Sequence, residues 1–163
     1  MILRNQVEWA LHCCSILSGL PADRFLSTKA LAELHGVPKE YLSKALQALA
    51  QAGLITGTLG PTGGYRLAKK ASEITFLDIV EAVEGRTRTF NCQEIRRNNP
   101  CLKKTDKISG VCVVAKVMNR ADQAWRDELQ AMTLEMLAIE VMKTVPQDQL
   151  ERTQDWLLSP KES

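Results

Sequence analysis

Long apolar runs are missing from this chain. The longest, residues 111–115, has five residues, against the roughly 20 that a membrane-spanning helix needs. A helical membrane protein is excluded. The first residues lack a basic segment followed by an apolar stretch and a small-residue cleavage site, so no secretory signal is readable and a cytoplasmic location is expected. Aromatic residues make up only 5%, and there are two histidines. No nucleophile–base arrangement and no phosphate-cradling glycine loop is readable, and the two histidines lack catalytic companions, so no enzyme is expected. The five cysteines include no pair at the C-x₂₋₄-C spacing of structural zinc sites. An odd count without an export signal also argues against a disulfide framework.

What remains is a chain of 163 residues, 45% hydrophobic and 25% charged, which suffices for one small domain with a core and an extension. The net charge is only +2, but it is unevenly spread. Residues 24–70 hold seven Lys/Arg against Glu33 and Glu40, and residues 86–107 hold another seven against Glu94 and Asp106. Two local basic excesses on a near-neutral chain point to an anionic partner.

Helical periodicity runs through residues 5–19 and stops at Gly19 and Pro21. Ser27 or Thr28 can cap a second helix over residues 29–35, ended by Gly36. Pro38 opens a third, residues 39–52, ended by Gly53. In that third helix Leu42, Ala45, Leu46 and Leu49 form one apolar stripe, opposite Glu40, Lys44, Gln47 and Gln51. Two short helices joined at Gly36-Val37 are a helix-turn-helix pattern. Alternation over residues 54–59, a glycine-rich tip and residues 65–68 then read as a β-hairpin. The fold class expected is mainly α with a small β-hairpin: a winged helix-turn-helix domain plus a long dimerisation helix.

Residues 1–85 are read as the winged DNA-binding domain, with a helix over residues 76–83 closing it. Residues 86–111 lose periodicity and form a cysteine-containing loop; a loop of that length in a compact domain is usually functional. Residues 112–143 resume a helical pattern, through Val114, Val117, Met118, Ala121, Ala124, Trp125, Leu129 and Met132, with a break near Thr133. An apolar face on a helix outside a small domain needs a partner, and a second copy of the chain is the simplest. Residues 144–163 hold a last short helix and a polar tail.

The runs 41–55, 60–68 and 74–85, with the wing Thr62-Gly63-Gly64-Tyr65 followed by the Ile79-to-Gly85 helix end, resemble the family of dimeric winged-helix regulators that includes the iron–sulfur repressors IscR and NsrR. The likeness extends to about residue 140. Residues 7–14 and 31–35 look especially similar to its redox-sensing RsrR branch. The resemblance implies a homodimer on a palindromic double-stranded operator. It also implies an iron–sulfur cluster, [2Fe–2S] or alternatively [4Fe–4S], held in the loop before the long helix.

For DNA, Lys44 suits guanine or a phosphate and Gln47 suits adenine. Lys39, Tyr41 and Ser43 suit phosphates, and Thr62, Gly63 and Arg66 belong to the wing. For the cluster, Cys112 is the first loop ligand, while Cys101 and Cys92 compete for the second place or both bind. The family's close cysteine pair is incomplete, since Ile108 stands four residues before Cys112. The neighbouring Arg96, Arg97, Lys103 and Lys104 should lower thiol pKa values. The resemblance implies that Glu8, reaching across the dimer, and His35 complete the set. Cys13 and Cys14 read as buried apolar residues, His12 as a partly exposed helix residue, Trp9 as either core or cluster lid, and Trp125 and Trp156 as packing. Two rivals stay open: the same fold without a cluster, controlled by thiol oxidation or a protein partner, and an electron-transfer or cluster-delivery protein.

Overall fold

The computed structural model describes residues 2–60 and 63–159. Among these the order is α1 (Asn5–Ser18), α2 (Thr28–His35), α3 (Lys39–Gln51), β1 (Ile55–Thr58), β2 (Gly64–Leu67), α4 (Phe76–Glu84), α5 (Val113–Ala131), α6 (Leu134–Thr144) and α7 (Gln147–Leu158). It is the expected mainly helical architecture with one antiparallel hairpin. No described helix is long and apolar enough to cross a membrane.

Local chemistry sets the helix ends. The Ser27 hydroxyl accepts from the Ala30 amide at 3.1 Å, and Gly36 leaves α2 in the left-handed region at φ 62°, which glycine adopts without a Cβ clash. Thr75 and Asp78 cap each other reciprocally at the start of α4. The α3 stripe Leu42, Ala45, Leu46 and Leu49 is buried, as its spacing predicts. It packs against α1, whose Val7, Ala10, Cys13, Cys14 and Leu17 face inward. No side chain caps α1; instead Arg4 ion-pairs with Glu84 at 3.0 Å and donates to the Val83 carbonyl, pinning the start of α1 to the end of α4.

The hairpin pairs Ile55 with Leu67 through to Thr58 with Gly64. It is fastened to the helix-turn-helix by Leu26, whose amide donates to the Tyr65 carbonyl at 3.0 Å and whose carbonyl accepts from the Tyr65 amide at 2.8 Å. That close approach explains Gly64. It sits at φ 152°, and a Cβ there would lie 2.3 Å from the Leu26 carbonyl group.

Between α4 and α5 the chain is irregular except for a 3₁₀ turn at Ile95–Asn98, preceded by Glu94 at φ 51°. This turn carries no periodic signal in the sequence. α5 buries only Ala115. The break at Thr133 is real: Thr133 caps α6, and the Phe76 amide to the Met132 carbonyl and the Leu134 amide to the Ile74 carbonyl, at 2.9 and 3.0 Å, dock it on the start of α4. Leu134 is fully buried. α7 then folds back onto the winged domain, with Leu157 in the core and the Leu158 carbonyl accepting from Arg24 at 2.7 Å.

Gly64→Ala is expected to cost about 2–4 kcal/mol, from backbone strain plus a clash with a main-chain segment that packing holds in place. Urea unfolding monitored by circular dichroism measures this; an unchanged midpoint would show that the hairpin is not seated against Leu26 as described.

Candidate functional site

α3 presents its polar face to solvent. Glu40, Tyr41, Lys44, Gln47 and Gln51 are exposed and Ser43 is half-buried. Lys44 Nζ lies 5.8 Å from the centre of the Tyr41 ring, a loose cation–π contact. Lys39 stands at the other side of the helix, lining a groove with Thr28, Thr58, Gly60 and Gly63 between α3 and the hairpin. At the tip, the Gly63 amide donates to the Gly60 carbonyl at 3.0 Å. A Cβ at Gly63 would meet the Thr58 carbonyl at 2.4 Å, so the turn has no room for one. Thr62 lies outside the described residues. Arg66 stands in β2, where its guanidinium sits 4.8 Å from the Phe25 ring centre and bonds the Ala22 carbonyl. An aromatic face and a carbonyl acceptor hold it against the loop before α2, and a phosphate would have to compete with both.

Cys92 and Cys101 are exposed and Cys112 is half-buried, at the residue that precedes α5. The Cys112 thiol is held below its usual pKa, first by the Ala115 backbone amide, then by that of Val114 and by the Arg96 charge; partial desolvation opposes them. The start of α5 therefore matters more than the basic residues of the loop. Arg96 grips the Glu94 carboxylate with Nε and Nη2, at 2.5 and 2.8 Å, and donates to the Gly110 carbonyl at 3.0 Å. Cys112 and Cys92 both lie near enough for their charge to act on Arg96. Cys101 is separate: its amide donates to the Asn99 side chain at 2.9 Å.

Glu8 is exposed on α1, at the rim of an apolar groove of about 420 Å³ between α1, α4 and α6, lined by Val7, Leu11, Phe76, Leu137 and Val141. His12, one turn further on, lines the same groove. Its ring centre lies 5.8 Å from that of His35, tilted by 47°. His35 Nε2 is buried with no hydrogen-bond partner. Burial, and then the charge of His12, push the His35 pKa down, which leaves a neutral imidazole with an unused ring nitrogen. His12 is a candidate site residue that the sequence reading passed over. Its i,i+4 spacing from Glu8 is the signal that places both on one helix face. Cys13 and Cys14 are buried as expected; burial pushes the Cys13 thiol up to about 12 and raises Cys14 as well. Trp9 packs on the core.

The donors thus form two sets, one in the loop and one around α1 and α2. Their chemistry suits iron: a thiol biased toward thiolate, a carboxylate and imidazoles, that of His35 neutral. A single chain does not gather them. Among the described residues no group of three or more His, Cys, Asp or Glu stands close enough to hold a metal ion.

The Rrf2 family pattern, described as an iron-dependent transcriptional regulator, matches residues 3–140. Protein rrf2 of Nitratidesulfovibrio vulgaris is 36% identical over 109 residues, 67% of this chain and 68% of its own. The fold is similar to that of Staphylococcus aureus CymR in its oxidized form, with TM-score 0.63, 27% identity and coverage of 85% and 96% of the two chains. T. potens IscR has a similar fold, with TM-score 0.66, 19% identity and coverage of 93% and 96%.

Two outcomes follow from the titratable groups. Since the folded state lowers the His35 pKa from 6.5, the unfolded chain binds that proton more readily. The contribution of His35 to stability should be constant above about pH 7.5 and fall as pH drops through about 6.5, and His35→Phe should remove that part of the fall in pH-dependent denaturation curves. Alkylation by iodoacetamide in the metal-free protein should show Cys112 titrating below an ordinary thiol and moving upward in Arg96→Gln. A Cys112 that titrates like a free thiol in both proteins would contradict the described start of α5.

Proposed function

Since the chain belongs to the Rrf2 family of transcriptional regulators, we propose that it binds operator DNA as a homodimer whose affinity is set by a sensing site shared between the two copies. The family consists of regulators, not enzymes. The observation that carries the reading is the apolar face of α5, where Val113, Val114 and Val117 are 72%, 61% and 48% exposed. A second copy laid along α5 would bury them and bring a partner's α1 toward the cysteine loop.

In such a dimer the two α3 helices would enter successive major grooves of a palindromic duplex, with half-sites about one helical turn or a small multiple apart. Lys44 and Gln47 would meet base edges. Lys39, Tyr41 and Ser43, with Gly63 at the hairpin tip and its sequence neighbour Thr62, would position the protein on phosphates. Arg66 would reach a phosphate only by leaving Phe25. We place this activity in the cytoplasm.

For the sensing site, the reading follows the RsrR-like branch: Cys112 with Cys101 or Cys92 from one copy, Glu8 with His35 or His12 from the other. These residues would hold a [2Fe–2S] cluster, with [4Fe–4S] as the alternative. Such a group supplies a one-electron couple, at a higher potential when histidine replaces thiolate. His35 Nε2, buried and unpartnered, supports a role for the α2 end, because a buried polar atom without a partner is costly unless something occupies it. If His35 is engaged, the turn between α2 and α3 is held, which links the sensing site to the DNA-reading helix.

A second reading has its own observation. Cys92 and Cys112 both act on the one guanidinium of Arg96, and the chain is 27% identical to a CymR whose oxidized form was solved. Thiol oxidation without a metal would then be the switch.

Anaerobic purification followed by visible absorption and iron and sulfide counts separates the two. The cluster reading predicts coloured protein with about two irons per chain, bleached by Cys112→Ala and spectrally shifted by His35→Ala or His12→Ala. Colourless protein that binds DNA, with an affinity that changes on peroxide treatment, would support the thiol switch instead. In either case Lys44→Ala should weaken DNA binding and lower the salt slope by about 1. An unchanged affinity would remove α3 from the DNA interface.

A further inference from the structure

Arg126, two-thirds of the way along α5, is tied to three other parts of the chain. Nη1 pairs with Glu81 Oε1 on α4. Nε pairs with Asp122 Oδ2 one turn back, at 3.2 Å. Nη2 donates to the Thr87 carbonyl, at the start of the cysteine loop, at 3.0 Å. The other oxygen of each carboxylate is also used. Glu81 Oε2 takes Arg86 at 2.8 Å, and Asp122 Oδ1 accepts from the Thr89 amide at 3.2 Å and from its hydroxyl at 2.7 Å. The Arg126, Glu81 and Asp122 side chains are 19%, 16% and 12% exposed. By contrast, the Arg152–Asp148 and Lys143–Glu140 pairs are local and mostly exposed, a class that contributes little.

The position of this cluster gives it a mechanical meaning. Thr89 is fastened at Asp122, and the loop returns to α5 at Cys112, ten residues earlier, so the cysteine loop straps about 15 Å of one helix. The same arginine holds α4, which packs on α1 and α3. Loop start, dimer-forming helix and winged domain therefore meet at one guanidinium.

We propose that Arg126 is a positioning residue for DNA reading: by joining Glu81, Asp122 and Thr87 it fixes the angle between each winged domain and α5, and with it the half-site spacing that the dimer accepts. This rests on the dimeric DNA-binding function proposed above.

The test uses duplexes selected from a random pool by the wild-type protein, then remade with the spacer between half-sites shortened or lengthened by one and two base pairs. Fluorescence anisotropy gives each affinity, and sedimentation gives the oligomeric state. For Arg126→Gln we expect affinity at the best spacing to fall by about threefold to tenfold while the other spacings change by less than about twofold, flattening the profile. Arg126→Lys, which keeps a cation within reach of both carboxylates, should retain most of the preference. Thr89→Val, which removes only the hydroxyl bond to Asp122, should flatten the profile in part, and it serves as the reading if Arg126→Gln does not fold. An equal loss at every spacing, or an unchanged profile, would overturn the role of Arg126 alone. A wild-type protein that is monomeric and selects single half-sites would overturn the dimeric function, and this inference with it.

Discussion

The uncovered face of α5 constrains everything else in this molecule. A helix of 19 residues extends about 28 Å, yet the rest of the chain buries only Ala115 on it. Apolar surface of this extent is seldom left in water, at roughly 25 cal/mol for each Å² that burial would recover. The winged domain is complete without α5: α1, α3, α4 and the docked Leu134 close its core. In the proposed dimer a second copy would offer the same stripe in return, and two winged domains would face DNA together, at an angle set by how each is held on α5.

The same helix organises the chemistry. Its first turn lowers the Cys112 pKa, Arg96 ties the loop back to Gly110 beside that turn, and Asp122 fastens the start of the loop further along. A change of charge or ligation at the cysteines is therefore felt by a helix that also carries the domain. On the other side, Glu8 and His12 share a groove rim and His12 touches His35 at the end of α2. The proposed sensing site needs both halves, and one chain keeps them apart.

Much of this was legible before the structure. The α3 stripe, the Ser27 cap, Gly36 and the break at Thr133 all act through neighbours within four residues, where spacing and residue type decide the outcome. The glycine-rich hairpin was legible too, although the need for Gly64 came from Leu26, 38 positions away. What could not be read depends on long-range partners. The partners of Arg66, the Phe25 ring and the Ala22 carbonyl, lie about 40 positions back along the chain. The contact between His12 and His35 joins α1 to the end of α2 across 23 positions. The docking of α7 through Leu157 and the convergence of Arg126, Glu81 and Thr87 leave no periodic trace.

The most direct test of the account is complementation between two defective chains. Glu8→Ala and Cys112→Ala proteins, each expected to lose the site as a homodimer, would be mixed under mild unfolding, refolded anaerobically with iron and sulfide, and assayed for visible absorption. A site shared across the dimer predicts that mixed dimers regain one intact site out of two, so colour returns only in the mixture. No recovery in mixtures shown by native mass spectrometry to contain heterodimers would contradict it, and would place the donors within a single chain.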